Sequence, residues 1–273
     1  MQFTDSHCHL DDIAFSKTLP SLLSQCQRLS IKRIIIPSTI PSSFDTVLQL
    51  CKTYHQHPIQ LYPCLGIHPW FLANLTDTDL EFLTTTVQKK QNSIIAIGEI
   101  GIDGAISKRA EKPEDNLMKQ RHFFDFQLNL AKESNLPVII HHRQSHDKIV
   151  PFLKKYQLGK TGVIHGFSGS YQQAKSYLDL GFKLGIGSTI TYSRAKKTIN
   201  TIKRLPLTSL LLETDAPSMP LSKEVMTAES EQAETNSPIN LIKIFNVLLT
   251  IRAESANQIA AQLEENITQL FFS

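Results

Sequence analysis

Pro137-Val138-Ile139-Ile140-His141 is the most informative stretch of this sequence. Consecutive apolar, β-branched residues after a proline indicate a strand that is buried on both faces, which is typical of a parallel sheet covered by helices. The run ends on a histidine, a residue that binds metals and transfers protons. Similar apolar runs recur along the chain, and several of them also end on ionisable residues.

Eight short apolar or β-branched runs alternate with longer stretches of helical period, as expected for a parallel barrel. They are residues 2–7, 33–37, 61–66, 94–99, 138–141, 162–165, 182–187 and 209–213. Between them, apolar residues 117, 124, 128 and 131 keep one helical face until Asn135-Leu136-Pro137 ends the helix. Near the C-terminus, Ser255-Ala256-Asn257-Gln258 has the form of a capping box before an apolar stripe, which predicts a helix that closes the outer layer. The sequence therefore predicts an α/β fold of the TIM-type (β/α)8 barrel class.

Length and composition favour a single globular unit. The chain has 273 residues, 41% of them hydrophobic, and (β/α)8 barrels of this size form one domain, so residues 1–273 are predicted to form one barrel domain. No stretch approaches the roughly 18 apolar residues of a membrane span, and we expect a cytoplasmic protein without a membrane partner. Nothing indicates an obligate protein partner. The formal charge of +3 is compatible with nucleic acid but is no strong indication of it.

Imidazoles and carboxylates follow five of the predicted strands. His7 and His9 are two residues apart at the end of the first strand, so their side chains point the same way. The ends of strands four, five, six and eight carry one such residue each, which are Glu99, His141, His165 and Asp215. In a barrel these ends meet at the catalytic face, and ionisable groups in apolar strand ends are unfavourable unless they are paired or bind a metal. The sequence therefore predicts a metal centre.

Four histidines and two carboxylates exceed the ligands of one tetrahedral ion but suit two divalent cations about 4 Å apart. Glu99 is the predicted bridging ligand, with His7 and His9 on one ion and His141 and His165 on the other. Asp215 completes the ligand set of the first ion and, as general base, accepts a proton from the attacking water. Such a pair favours hydrolysis of phosphodiesters, in which charge develops on the reacting oxygens. The ligand types leave Mg²⁺, Mn²⁺ and Zn²⁺ open.

Further residues near the predicted strand ends have two interpretations each. Arg143 either grips a phosphate or forms a salt bridge with a barrel carboxylate. His68 either contacts substrate or a third ion, or packs in its loop. Ser168 belongs to a small-residue turn that either binds an anion or simply connects two elements. Trp70 either stacks on a base or packs against the barrel rim. His142 should point away from His141, because neighbours on a strand alternate.

Two long connections, residues 103–115 and 217–238, interrupt the alternation. Both follow strands whose ends carry carboxylates, and loops of this length in a compact domain are often functional. The second is acidic: residues 226–235 contain Glu229, Glu231 and Glu234 and no lysine or arginine. This segment would repel a phosphate chain if it borders the site.

Six motifs in order resemble the signature series of the TatD family of metal-dependent deoxyribonucleases and hydrolases. They are DSHCHL, GIHPW, GEIGID, PVIIHHR, VIHGFSGS and LLETDAP, and together they span nearly the entire chain. Within the family, RQSHDK, GSTITYSRA and LLETDAPSMPL are most similar to the YjjV-like branch. The resemblance implies a TIM-barrel hydrolase with two or three divalent cations that removes nucleotides from DNA 3′ ends. It also implies the same metal-site residues, with Asp215 as the catalytic base.

Two departures from the family pattern bear on the substrate. The stretch before Asn236-Ser237-Pro238 is acidic where the family often carries glycine and arginine, and the loop after GEIGID runs on through Gly104-Ala105-Ile106 without the aromatic residue often found there. A binuclear hydrolase of a small-molecule ester or amide is therefore the main alternative. A non-catalytic, metal-stabilised protein that binds a partner is a second alternative.

Overall fold

Eight parallel strands form the centre of the protein. The computed structural model describes residues 1–226 and 235–273, and in it the strands pair side by side in chain order from β1 to β8. Their bounds are β1 Phe3–Asp5, β2 Ile31–Pro37, β3 Gln60–Leu65, β4 Ala96–Asp103, β5 Val138–Arg143, β6 Gly162–Ile164, β7 Lys183–Ile186 and β8 Leu210–Leu212. All eight predicted strands are present.

The first and last strands close the sheet into a barrel. The Ser6 amide donates to the Leu212 carbonyl at 2.9 Å, and the Asp215 amide donates to the His7 carbonyl at 2.8 Å. A parallel bridge between Cys8 and Ala216 continues this contact past the ends of β1 and β8. The predicted (β/α)8 barrel is therefore confirmed, and its closure lies next to the predicted site.

Helices follow the strands and cover the outside of the barrel. They are α1 Leu19–Arg28, α2 Phe44–Thr53, α3 Asp77–Lys90, α4 Gly104–Ser107, α5 Pro113–Ser134, α6 His146–Tyr156, α7 Tyr171–Leu178, α8 Lys196–Arg204, α9 Leu241–Ile251 and α10 Ala256–Phe271. α5 ends at Asn135 in the left-handed conformation, where the sequence predicted its end. Ser255 caps α10 through the predicted capping box.

The N-terminal end of the barrel is filled by apolar side chains, one from each of several strands. They are Ile35, Cys64, Ala96, Ile139, Val163 and Leu211, and Ile267, Leu270 and Phe271 of α10 pack against them. The last helix thus covers this end, while the polar site occupies the other. No helix in the described part of the chain is long and apolar enough to cross a membrane.

The first of the two long connections contains regular structure. β4 continues to Asp103, whose carboxylate Oδ1 accepts hydrogen bonds from the amides of Ala105 and Ile106, both at 2.8 Å, and so caps α4. The polar segment after Glu99 therefore contains the end of β4 and the short helix α4. In the second connection, the Asn236 amide group donates to the carbonyls of Thr214 and Met219. Glu229, Glu231 and Glu234 lie outside the described residues.

Candidate active site

The strand alternation places polar side chains directly above the apolar floor of the barrel. Residues two apart on a strand share a face, so the residue two positions after each inward apolar side chain also points inward. These pairs are Ile139 and His141, Val163 and His165, and Leu211 and Glu213. His7 and Glu99 are likewise fully or almost fully buried. The site therefore forms because inward positions change from apolar to ionisable at the C-terminal ends of the strands.

Glu99 lies at the centre, and its two carboxylate oxygens face different histidines. Oε2 is 3.2 Å from Nε2 of His7 and 3.4 Å from Nε2 of His9. Oε1 is 2.8 Å from Nε2 of His165, 3.0 Å from Nδ1 of His141 and 3.1 Å from Nε2 of His68. One carboxylate thus stands between two groups of imidazoles, which is the arrangement expected of a bridging ligand.

Asp215 joins the first of these groups. Its Oδ1 atom lies 3.5 Å from Nε2 of His7 and 3.6 Å from Nε2 of His9. Its backbone is left-handed, with φ +57°, and its amide is held by the His7 carbonyl, so the side chain turns toward the barrel axis although β8 ends at Leu212. The Asp215 side chain is 13% exposed, which leaves it accessible from the cleft.

The donor set fits divalent cations. Three groups of ligand atoms each lie within 4.8 Å of one another: His7, Glu99 and His165; His7, His9 and Asp215; and His68, Glu99 and His141. Imidazole nitrogens and carboxylate oxygens at such spacing are the usual ligands of Zn²⁺ and Mn²⁺, and their burial is hard to explain otherwise. The structure thus brings all six predicted metal ligands together and adds His68, which the sequence left as a contact of substrate or of a third ion, or as a loop-packing residue.

Several side chains and a carbonyl orient the imidazoles by contacting the ring nitrogens that do not face Glu99. The Pro37 carbonyl accepts from Nδ1 of His9 at 3.2 Å, and Oδ2 of Asp103 lies 3.0 Å from Nε2 of His141. Glu213 lies 3.6 Å from Nδ1 of His165 and also accepts from the Gly166 amide. Such contacts fix which ring nitrogen faces a metal. Glu213 was missed, although its spacing from Leu211 indicates an inward side chain.

When no cation is bound, burial and the close approach of these groups shift their pKa values. Burial lowers the pKa of His9, but hydrogen bonding to Glu99 and the charge of Asp215 outweigh burial and raise it to about 9. Burial raises the pKa of Asp215 to about 6 despite the nearby histidines. Burial also acts on Glu99, but its histidine neighbours hold its pKa well below the ordinary value. The centre therefore holds protons that a cation would displace.

A cleft of about 630 Å³ opens above this centre. The predicted substrate residues Arg143 and Ser168 line it and are exposed, and Arg143 Nη1 lies 3.9 Å from Asp103 Oδ2. The other lining residues are His9, Asp11, Asp12, Thr39, His68, Trp70, Phe71, Glu99, His141, His142, His165, Asp215, Pro217, Ser218 and Met219. His142 belongs to none of the three ligand groups, and its ring lies parallel to that of Phe167 with centroids 6.3 Å apart.

Comparison with known proteins identifies the family. The model of the TatD related DNase family matches residues 4–272. The chain is 41% identical over 270 residues to the uncharacterized metal-dependent hydrolase YjjV of Escherichia coli, covering 99% of this chain and 98% of that protein. It is 38% identical over 273 residues to an uncharacterized metal-dependent hydrolase of Haemophilus influenzae, covering 99% of this chain and all of that protein.

Solved structures agree with this assignment. The crystal structure of YjjV from Escherichia coli matches with a TM-score of 0.90, covering 99% of this chain and 98% of that one. A TatD family hydrolase from Entamoeba histolytica, 22% identical, shares the fold with a TM-score of 0.86, covering all of this chain and 98% of that one. The chain therefore belongs to the TatD related DNase family of metal-dependent hydrolases.

Proposed function

We propose that this protein is a phosphodiesterase that removes nucleotides from the 3′ ends of DNA with the help of two divalent cations. The observation that carries the proposal is the position of Glu99, whose two oxygens each lie within 3.4 Å of a separate group of imidazoles. A carboxylate shared in this way is the expected bridge of a binuclear site. His7, His9 and Asp215 would hold the first cation, and His68, His141 and His165 the second.

Two relatives support a nucleic-acid substrate by their names. TatD of Erwinia tasmaniensis, 28% identical over 269 residues, is called a 3′-5′ ssDNA/RNA exonuclease, and human TATDN3, 26% identical over 273 residues, is called a deoxyribonuclease. Each alignment covers 98% of this chain.

The residues of the cleft divide the work of hydrolysis among them. Divalent cations, when bound, lower the pKa of a coordinated water toward neutrality and offset the negative charge that develops on the phosphate oxygens. Asp215 faces the cleft from the first group and accepts the proton of the attacking water. Arg143, exposed at the cleft and held near Asp103, grips a non-bridging phosphate oxygen. Glu99 contacts both groups of imidazoles and so holds them at a fixed separation.

The test is shortening of a 5′-labelled single strand by protein purified without chelator, with Mg²⁺, Mn²⁺ or Zn²⁺ added. We expect loss of nucleotides from the 3′ end that stops on chelation. Asp215→Asn should lower the rate about 10²- to 10⁴-fold because the general base is lost. Asp77→Asn is the matched control, because Asp77 is an exposed aspartate of α3 that pairs with His122. Full activity of Asp215→Asn would contradict the assigned base.

A second candidate is hydrolysis of a small ester or amide. Among the described residues that line the cleft, Arg143 alone carries a fixed positive charge, while the carboxyl groups of Asp11 and Asp12 also line it. A long phosphate backbone would find little compensation there. Turnover of small esters without any shortening of strands would favour this candidate. A protein that hydrolyses neither but loses thermal stability on chelation would instead be a metal-stabilised binding protein.

A further inference from the structure

Two consecutive aromatic residues in the lining of the cleft have exposed side chains. Trp70 is 45% exposed and Phe71 is 46% exposed, and both line the cleft from the short 3-10 helix Pro69–Phe71 after β3. Large apolar side chains that stay exposed together beside a polar site often mark a binding surface. Neither ring surface takes part in the metal centre described above.

Trp70 is held rigidly to the site beneath it. Its indole Nε1 donates to Oδ2 of buried Asp103 at 2.7 Å, the same oxygen that lies 3.0 Å from His141. The ring centroid of Trp70 lies 5.4 Å from that of His68 and 6.0 Å from that of His141. The indole orientation is therefore fixed relative to two histidines that face Glu99.

This anchoring determines what kind of contact Trp70 offers. The indole has a single donor, and Asp103 already accepts it, so only the aromatic surface remains for a ligand. Phe71 has no polar side-chain atom. Together they provide stacking surface without hydrogen-bond recognition, which is how proteins hold unpaired bases without sequence preference. Arg143 Nη1 lies 3.9 Å from the same Asp103 oxygen that accepts from Trp70, so a positive charge for a phosphate is available close to the indole.

We propose that Trp70 and Phe71 form an aromatic platform that stacks the unpaired base at the 3′ end of the substrate strand. This inference rests on the proposed nuclease function and deepens it: the substrate class is a strand end whose terminal base is unpaired, and the base identity matters little. The platform holds the base while the adjoining phosphodiester reaches the cations. A duplex end would have to fray first.

Intrinsic fluorescence tests the platform directly, because Trp70 is the only tryptophan of the chain. Asp215→Asn protein, purified without chelator, is titrated with a single-stranded tetranucleotide and with the same strand lacking its 3′-terminal base. We expect quenching by the intact strand and about tenfold weaker binding of the abasic strand, with similar results for all four terminal bases. Equal quenching and affinity for both strands would overturn the platform.

Kinetics separate the platform from the nuclease function. The ratio of kcat/KM for the intact strand over the abasic strand should be about ten in the wild type and should fall toward one in Phe71→Leu, which keeps an apolar side chain but loses the flat ring. Phe82→Leu is the matched control, an exposed phenylalanine of α3 that does not line the cleft, and should keep the wild-type ratio. If Phe71→Leu also keeps the wild-type ratio, the platform is contradicted, whereas the proposed nuclease function is not. If neither strand is cut, the nuclease proposal fails, and the fluorescence titration alone decides the platform.

Discussion

Asp103 connects three parts of the site through one carboxylate. It caps α4, accepts from Trp70 and orients His141. Burial opposes its charge, but the hydrogen bonds from His141 and Trp70 hold its pKa well below the ordinary value, so the carboxylate is ionised at neutral pH. Asp103→Asn keeps the shape but removes the charge that orients the imidazole. We expect about 10- to 100-fold weaker cation affinity, measured by competition with a chromophoric chelator.

An exposed aspartate provides the control for this substitution. Asp77→Asn also removes a carboxylate that faces a histidine, but the Asp77 side chain is 75% exposed and lies on α3 away from the cleft. Its cation affinity should equal that of the wild type. Wild-type affinity in Asp103→Asn as well would show that His141 does not depend on Asp103 for its orientation.

Protons and cations should compete at His9. Its pKa of about 9 means that the imidazole is protonated at neutral pH when no cation is bound, whereas a ligand imidazole must be neutral. Cation affinity should therefore rise with pH, by at least roughly tenfold per unit between pH 6 and 8. Below pH 6 the dependence should steepen, because Asp215, with a pKa of about 6, also binds a proton. Calorimetry in buffers of different ionisation enthalpy measures the released protons.

A histidine outside the site separates this effect from general titration. His122→Gln removes an exposed imidazole of α5 that pairs with Asp77, and it should leave the pH dependence unchanged. Cation affinity that stays constant between pH 6 and 8 would contradict proton release from His9.

At the level of residues, most of the predicted ligands follow from strand alternation, whereas a position that depends on a loop path was left open. His7, His9, Glu99, His141 and His165 follow apolar runs, so their approach was predictable. His68 lies three residues beyond β3, and its position 3.1 Å from Glu99 depends on the turn that starts the 3-10 helix. The Pro37 carbonyl that holds His9 carries no side-chain signal at all.

At the level of elements, the predicted strands were the most secure part of the fold, because parallel strands buried on both faces are continuous apolar runs. Their ends were less so. β1 and β8 contain three residues each, shorter than predicted, while β4 extends to Asp103. The extension depends on pairing with β5, where Asp103 lies opposite Arg143, and such pairing cannot be seen in a single segment.

Strand β7 must lack a side chain at Gly185 because Glu213 occupies that space. A Cβ at Gly185 would overlap the Glu213 carboxylate, which is fully buried and accepts from the Gly166 amide. Gly185→Ala should therefore displace Glu213 and lower the free energy of unfolding by about 1–3 kcal/mol, as overpacking does. Urea unfolding followed by circular dichroism measures the loss.

Gly159 offers a matched comparison on the surface. A Cβ there would meet only the Asn135 side chain at 3.9 Å, so Gly159→Ala should be neutral or slightly stabilising. Equal losses in the two variants would mean that the Glu213 carboxylate moves aside freely and does not need the space at Gly185.

At the level of the whole molecule, the proposed cations would join β4 and β5 with the segments that follow β1, β3, β6 and β8, which are far apart in the chain but adjacent at one end of the barrel. Because the unfolded chain does not bring these ligands together, each bound cation should stabilise the fold by about 4 kcal/mol at a thousandfold excess over its Kd. For a chain of this size we expect chelation to lower Tm by on the order of 10 °C per cation in calorimetry. A His7→Ala/His9→Ala variant should lose the part of that shift that the first cation contributes. An unchanged wild-type Tm, with cation removal verified by elemental analysis, would mean that the closure between β1 and β8 holds the barrel without metal.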